Sequence, residues 1–221
     1  MHIIATSDLH GALPEIEPCD LLLIGGDLPP VNGSHHPADQ TQWAKETFAE
    51  WIAALPTERV ILVAGNHDFW LETEEGKAAV EEIPKLTYLE DSGTEVDGLT
   101  IYGTPWTPNL PGWAFQKEGD EARLAFANIP RNTDILLSHG PLAGRGDLVG
   151  NRITGYEYCG SKELRENVAT QRVRTVVCGH IHEGYGQYTL RYEGRETNIY
   201  NVAHMDAIYR PINPPVVIEP L

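Results

Sequence analysis

Residues 60–68 read VILVAGNHD, an apolar run that ends in Gly-Asn-His-Asp. A continuous run of β-branched residues and leucine, closed by glycine, is typical of a strand that is buried on both faces. Three polar side chains follow it directly, Asn66, His67 and Asp68. The stretch therefore predicts a buried strand whose carboxyl end carries functional residues.

The same arrangement, an apolar run followed by Asp or His, recurs along the chain. Open α/β sheets bind ligands just past the carboxyl ends of their strands, so we expect these residues to meet in one crevice. Glycines beside them let the backbone turn sharply and approach a ligand closely. The other occurrences are Asp8 and His10 after Ile3–Thr6, Asp27 after Leu21–Ile24, His139 after Ile135–Leu137, and His180 and His182 after Val173–Cys178.

Helical patterns separate these apolar runs. Residues 40–54 predict a helix with Asp39 as its N-cap, and residues 72–83 and 161–168 predict shorter helices. Because strands and helices alternate, we expect a layered α/β fold with helices on the sheet faces. The remaining predicted elements are hairpins around Asp97-Gly98 and Glu193-Gly194, an irregular loop at 103–119, and a last strand at 216–218.

Composition restricts the class of protein. The chain has 221 residues, of which 41% are hydrophobic and 22% charged, and this suits a single domain over residues 1–221. A formal net charge of -16 argues against a protein that coats nucleic acid or binds an anionic membrane. Three widely spaced cysteines, no apolar run of membrane-spanning length and no signal-peptide pattern predict a cytoplasmic protein.

The residue types in these motifs indicate a pair of metal ions. Imidazoles favour transition metals, while carboxylate and amide oxygens suit iron or manganese. The lack of thiolates argues against a structural zinc site. Two adjacent cations need an anionic ligand between them, and Asp27 is the natural candidate. One such motif alone is weak, because buried polar groups usually satisfy one another, but all of them in order predict a dinuclear site.

The order of the motifs resembles that of the calcineurin-like metallophosphoesterases. That family's pattern, D-x-H, G-D, G-N-H-D/E, H and G-H-x-H, runs through nearly the whole chain. The strings GDLP at 26–29, IYGTPWTP at 101–108 and GHIHEGYG at 179–186 are similar to the MPPED-type branch of class III phosphodiesterases. The resemblance implies a four-layer α/β/β/α sandwich of two mixed β-sheets flanked by helices.

The resemblance also implies roles for the motif residues. His67 takes the position of the family's catalytic histidine, and Asp68 that of the residue that holds its ring. The implied cofactors are two divalent metal ions, Mn2+ or iron, with Zn2+ as another choice. The ligands would be Asp8, His10, Asp27 and His182 for one ion, and Asp27, Asn66, His139 and His180 for the other.

The implied reaction is hydrolysis of small phosphodiesters, cyclic nucleotides among them, by attack of a metal-bridging hydroxide. His67 would protonate the departing alkoxide as general acid. Asp68 would orient that imidazole and raise its pKa.

Several residues near the motifs are candidates for contact with the substrate. Aromatic rings stack on bases where nucleotides bind, although such rings more often pack in a core or a loop. Exposed arginines are likewise common without a ligand. The candidates are His10, Asn66 and His67 beside the metals, Trp106 or Phe69 for stacking, and Arg145 and Arg152 for phosphate.

Other functions fit parts of the sequence. A phosphomonoesterase or a protein phosphatase could use the same dinuclear core. A metal-binding scaffold that kept only the fold is disfavoured because His67 is retained. A nuclease on long DNA conflicts with the net charge of -16 and the absence of a basic stripe. The expected partner is a small phosphate ester, and the oligomeric state is not predicted.

Overall fold

Two β-sheets lie at the centre of the molecule. The computed structural model describes residues 1–108, 110–151 and 155–220. The first sheet is parallel apart from the last strand of the chain, which pairs antiparallel with the first. In spatial order its strands are β13 (Val216–Ile218), β1 (Ile3–Thr6), β2 (Leu21–Ile24), β3 (Val60–Leu62) and β4 (Leu86–Tyr88).

The second sheet has a parallel centre and two antiparallel edges. Each edge strand belongs to one of the two predicted hairpins, which are confirmed. Both turn residues have positive φ in each hairpin, Asp97 and Gly98 in one and Glu193 and Gly194 in the other, as a type I′ turn requires. In spatial order the strands are β11 (Gly186–Tyr192), β12 (Arg195–Asn201), β10 (Thr175–Cys178), β7 (Ile135–Ser138), β6 (Leu99–Thr104) and β5 (Ser92–Val96).

Helices cover the outer face of each sheet. Ile4 of β1 lies in an apolar cluster with Phe48 and Ile52 on the helical side. Its neighbour Ile3 points the other way, into a cluster with Leu137 of the second sheet. Alternate residues of one strand thus bury themselves in two different layers. The helices are α1 (Pro37–Trp43), α2 (Ala49–Ala54) and α3 (Glu74–Glu81) on the first sheet, and α4 (Gly119–Phe126) and α5 (Lys162–Gln171) on the second.

The four-layer α/β/β/α sandwich of two mixed sheets is therefore confirmed. None of the helices in the described ranges has the length and apolar character that crossing a membrane requires.

The first predicted helix has a different start from the one expected. It begins at Pro37, with His36 at the N-cap position, and Asp39 lies inside its first turn. Proline is favoured at the first helical position because the N–H that it lacks has no helical partner there. A π-helical segment, Ala44–Phe48, joins α1 to α2.

The other two predicted helices also have shifted ends. The helix expected at 72–83 begins at Glu74, because the Thr73 hydroxyl caps it by accepting the N–H of Gly76 at 3.0 Å. The Ser161 hydroxyl caps α5 in the same way, and α5 continues beyond residue 168 to Gln171. Elements that the sequence did not predict are β4, α4 and a two-stranded ribbon of β8 (Leu148–Asn151) and β9 (Gly155–Tyr158).

Candidate metal centre

The candidate ligands meet where strands of the two sheets end at their carboxyl sides. Two groups of side chains there share no residue, and within each group one ligand atom per residue lies within 4.8 Å of the others. A third group, His10, Asp27 and His67, shares His10 with one of these groups and Asp27 with the other. The first two groups are Asp8, His10 and His182, and Asp27, His139 and His180.

Several of these residues have a backbone conformation that is rare outside glycine. A positive φ in a non-glycine residue is uncommon, costs about 1–3 kcal/mol and tends to occur at functional sites. Four candidate ligands adopt it at the strand ends where the ligand atoms converge. The residues are Asp8 (φ 55°), His10 (φ 45°), Asp27 (φ 57°) and His180 (φ 66°).

Asp27 lies at the centre of the cluster. Its Oδ1 accepts the backbone N–H of His67 at 2.7 Å. Its Oδ2 is therefore the oxygen that faces the imidazoles. Distances from Oδ2 to Nε2 are 3.5 Å for His139, 3.7 Å for His10 and 4.0 Å for His67. One carboxylate oxygen is thus fixed by the backbone while the other faces three rings.

The ring of His139 lies among oxygen atoms that accept hydrogen bonds. Its Nδ1 donates to the carbonyl of Gly25 at 2.7 Å, so Nε2 is the nitrogen that faces the cluster. That nitrogen lies 3.0 Å from Oδ1 of Asn66 and 3.5 Å from Oδ2 of Asp27. Burial lowers the pKa of His139, but the charge of Asp27 outweighs burial and raises it to about 9. The arrangement therefore favours positive charge between these atoms.

His182 repeats this arrangement at Asp8. Its Nδ1 donates to the carbonyl of Asp206 at 3.0 Å, and its Nε2 lies 3.4 Å from Oδ1 of Asp8. Burial raises the pKa of Asp8, but the hydrogen bond and charge of His182 outweigh burial and lower it to about 2. Both oxygens of Asp8 also accept the backbone N–H of His180. A histidine whose Nδ1 is bonded to a carbonyl presents Nε2 in the manner of a metal ligand.

His10 is buried, and neither of its ring nitrogens has a hydrogen-bond partner among the described residues. Burial lowers its pKa to about 4, so the ring is neutral and has a free lone pair. Burial, aided by the charge of His139, lowers the pKa of His180 to about 3. Neutral imidazoles beside carboxylate and amide oxygens form a donor set that suits divalent transition metals, so these residues fit such ions.

Glycines make room for the cluster. A Cβ on Gly65 would lie 2.3 Å from Oδ1 of Asp27 and 2.5 Å from Cε1 of His139. A Cβ on Gly179 would lie 2.1 Å from Oδ2 of Asp8. Real Cβ atoms do not approach other atoms so closely, so these positions require glycine.

His67 is buried beside the cluster, with ring centroids 4.7 Å from His10 and 4.3 Å from Trp113. Burial lowers its pKa. This differs from the expectation that Asp68 holds the ring and raises its pKa. The Asp68 carboxylate instead accepts three backbone N–H groups, from Gly65 at 2.6 Å, Asp27 at 2.7 Å and Leu28 at 3.1 Å. Burial, together with the charge of Asp27, raises the pKa of Asp68 to about 7.

Trp106 has a different environment from the one expected of a stacking residue. Its indole N–H donates to Asp91 at 2.8 Å, and the Lys117 ammonium lies 3.4 Å from the ring centroid. Trp113 of the same irregular loop is the tryptophan that contacts His67. The N–H of its neighbour Ala114 donates to the carbonyl of Asn66 at 3.1 Å, which ties this loop to the site.

The other predicted substrate contacts have mixed outcomes. Phe69 stacks on His35 with centroids 5.4 Å apart, and it also packs near Trp113 at 6.1 Å. Arg145 donates to the carbonyls of Thr189 and Gly144, so its guanidinium makes contacts within the fold. Arg152 lies outside the described residues.

Sequence reasoning missed several residues that support the site. Asn201 is fully buried, and its amide donates to the carbonyl of Ile181 at 2.9 Å. Tyr209 packs against two of the imidazoles, and the carbonyl of Asp206 orients His182. Trp113 could have been found from the unusual density of Pro and Trp at 103–119, but the local sequence has no comparable signal for the other three.

Comparison with known proteins finds relatives among the phosphoesterases. Residues 1–184 match the calcineurin-like phosphoesterase family. Human metallophosphoesterase domain-containing protein 1 is 36% identical over 197 residues, which cover 78% of this chain and 58% of that protein. A UPF0046 protein of Caenorhabditis elegans is 31% identical over 229 residues, which cover 96% of this chain and 76% of that protein. The chain thus spans little more than half the length of the human relative.

Solved structures share the fold at low sequence identity. The protein TT1561 of Thermus thermophilus has a TM-score of 0.55 and 16% identity, over 90% of this chain and 88% of that one. Purple acid phosphatase PPD1 from yellow lupin seeds has a TM-score of 0.51 and 16% identity, over 100% of this chain and 47% of that one. At such identity the likeness concerns the fold alone.

Proposed function

This chain belongs to the calcineurin-like phosphoesterase family, and we propose that it hydrolyses small phosphodiesters with the aid of two divalent metal ions, Mn2+ or iron. The observation that carries the proposal is the position of Asp27. Its Oδ2 lies within 4.0 Å of the Nε2 atoms of His10, His67 and His139. A carboxylate in this position can belong to both ligand groups at once.

The residues that would hold the ions follow from the geometry and the resemblance together. Bound there, two divalent ions supply a nucleophile at neutral pH and neutralise charge on the phosphoryl group. The first ion would be held by Asp8, His10, Asp27 and His182, and the second by Asp27, Asn66, His139 and His180.

His67 is the proposed general acid, which gives its proton to the oxygen of the departing alcohol. Its ring is fixed by packing, edge-on to His10 and beside Trp113. Because burial lowers the pKa of His67, its protonated form is a stronger proton donor than an exposed imidazolium. Asp68 acts on a different part of the site, since it holds the backbone that carries Asp27.

Charge supports a small substrate. A polynucleotide would have to approach a chain of net charge -16. A phosphomonoesterase would need the same metal ligands, so a comparison of mono- and diesters separates the two activities. A scaffold without activity would bind metal and hydrolyse neither ester.

The test combines metal analysis with a panel of esters. The metal-free protein is loaded with Mn2+ or Fe2+, and bound metal, Tm and rates on bis(p-nitrophenyl) phosphate and p-nitrophenyl phosphate are measured. We expect two ions per chain, a Tm that rises with metal concentration because ions bind the folded state, and faster hydrolysis of the diester.

Asp27→Asn should abolish the rise in Tm and the activity. Asp120→Asn is the matched control, because that side chain is 90% exposed on α4. Metal binding without hydrolysis of either ester would overturn the proposed activity. A preference for the monoester would replace the diesterase with a phosphomonoesterase.

A further inference from the structure

Tyr209 lies directly over the candidate metal centre. Its ring centroid is 5.0 Å from that of His10 and 4.9 Å from that of His182, edge-on to both. Its backbone has φ 60°, in the left-handed region that an aromatic residue rarely adopts. A bulky residue held in this conformation beside a site is a candidate for a functional role.

A network around Asp206 holds Tyr209 in place. The Asp206 carboxylate accepts the backbone N–H groups of Ile208 at 3.0 Å and Arg210 at 2.9 Å. The Asp206 carbonyl accepts the N–H of Tyr209 at 2.9 Å and Nδ1 of His182 at 3.0 Å. One carbonyl thus accepts from a candidate ligand and from the backbone of Tyr209, so the loop that carries the ring is tied to the site.

Tyr209 lies between two cavities at the mouth of the site. One has a volume of about 460 Å³ and is lined by His180 and His182. The other has a volume of about 380 Å³ and is lined by His10. Tyr209 lines both. Each volume is within the range of small-molecule sites, so each can hold an organic substituent.

The charges of the two cavities restrict what they can hold. Among the described residues that line them, neither Lys nor Arg is present. The larger cavity has the carboxylates of Glu157 and Glu183 and the rings of Tyr158 and Tyr209. Carboxylates and aromatic faces attract cations, and apart from the proposed metal ions the described lining offers no cation to a second anionic group. The smaller cavity is lined mainly by apolar residues such as Val31 and Met205.

The position of the proposed acid, His67, assigns each substituent on phosphorus to one of the two cavities. The ring of His67 packs on His10, which lines the smaller cavity, so the departing alcohol belongs on that side. We propose that Tyr209 divides the site between the two arms of an acyclic phosphodiester, and that the arm retained on phosphorus, beside His180 and His182, is uncharged or cationic. This inference rests on the proposed phosphoesterase activity.

The experiment removes the ring without straining the loop. Tyr209→Gly suits the positive φ, so the backbone should keep its conformation, and the metal bound per chain is measured on the variant before its rates are compared. We expect the ratio of kcat/KM for bis(p-nitrophenyl) phosphate to kcat/KM for p-nitrophenyl phosphate, which has one arm, to fall about tenfold. Tyr209→Phe restores the ring and should restore the ratio of the two values.

The charge of the retained arm is tested with p-nitrophenyl phosphorylcholine and with a p-nitrophenyl diester whose second arm has a carboxylate. The first should be the better substrate of the parent protein. Tyr192→Ala is the control for the loss of an exposed tyrosine ring away from the site, because the side chain of Tyr192 is 49% exposed and that of Tyr209 is 45% exposed.

The outcomes separate this inference from the proposed function. An unchanged ratio in Tyr209→Gly, or a preference for the anionic arm, would overturn the division of the site while the phosphoesterase stands. If the metal-loaded parent protein hydrolyses neither ester, the proposed function itself is wrong.

Discussion

The carboxylate of Asp68 accepts a hydrogen bond from the backbone N–H of Asp27 at 2.7 Å. The two residues are far apart in sequence, on the loops after β3 and β2. The same carboxylate binds the N–H groups of Gly65 and Leu28. Asp68 therefore joins the two loops that carry Asp27 and Asn66, and its role in the site is to position them.

We expect Asp68→Ala to lower the free energy of unfolding by about 3 kcal/mol or more, because each buried donor left without a partner costs about 1–3 kcal/mol. Asp68→Asn keeps one acceptor oxygen and should lose less. Urea unfolding of the metal-free variants measures both losses. Unchanged stability with an altered pH–rate profile would instead show that Asp68 acts through His67.

Replacement of His67 tests the acid by its dependence on the leaving group. His67→Gln should reduce the rate on an alkyl ester by about 10²–10⁴-fold, because an alkoxide needs a proton to depart. On a nitrophenyl ester of the same phosphate the loss should be less than about tenfold, since that leaving group is stable as an anion. His36→Gln, at an exposed histidine, is the control. Equal losses on both esters would contradict the acid role.

The close packing at Gly65 predicts a selective effect on metal binding. In Gly65→Ala the new Cβ would lie 2.3 Å from Oδ1 of Asp27, so that carboxylate must move. A displacement of about 1 Å at a reacting centre can cost about 10²-fold in rate, and we expect a loss of that order together with fewer bound ions. Gly150→Ala is the matched control, because no atom of the described residues lies within 4 Å of its added Cβ. If both variants bind metal alike, the packing argument fails.

Asn201 predicts that the loop carrying His180 and His182 depends on a buried amide. Its Nδ2 donates to the carbonyls of Ile181 at 2.9 Å and Gly146 at 3.0 Å. In Asn201→Asp a carboxylate oxygen would face these carbonyls with no hydrogen to donate. We expect a loss of about 3 kcal/mol in the free energy of unfolding, measured by urea unfolding. Asn128→Asp, at an exposed position, should change stability little.

Much of the fold could be predicted because its signals are local. The apolar runs at Ile3–Thr6 and Leu21–Ile24 are strands, and both Asp-Gly and Glu-Gly turns close hairpins. Local patterns were insufficient for β4 and α4. Residues 86–88 of β4 are only partly buried or exposed, so they lack the continuous apolar run that marks the inner strands. The predicted start of α1 is wrong, because the helix begins at Pro37 and Asp39 lies inside its first turn.

In the candidate site, too, the positions of some side chains could be predicted from the sequence and those of others could not. The positions of Asp8 and Asp27 at one edge of the first sheet, and of His139 and His180 at one edge of the second, follow from the sequence, because parallel strands bring their carboxyl ends to the same edge of their sheet. The partner of Asp68 could not be predicted in this way. The carboxylate oxygens of Asp68 accept from backbone N–H groups, which every non-proline residue has, so no residue type in the sequence marks the contact.

The order of residues along the chain shows which residue types follow which strands, and it identifies the family and the expected ligands. Three features of the site arise from packing: Trp113 and not Trp106 lies beside His67, Tyr209 covers His10 and His182, and the Asp206 carbonyl orients His182. These contacts join segments that are distant in the chain. They depend on how two sheets and their loops pack, whereas the motifs depend on neighbours along one strand.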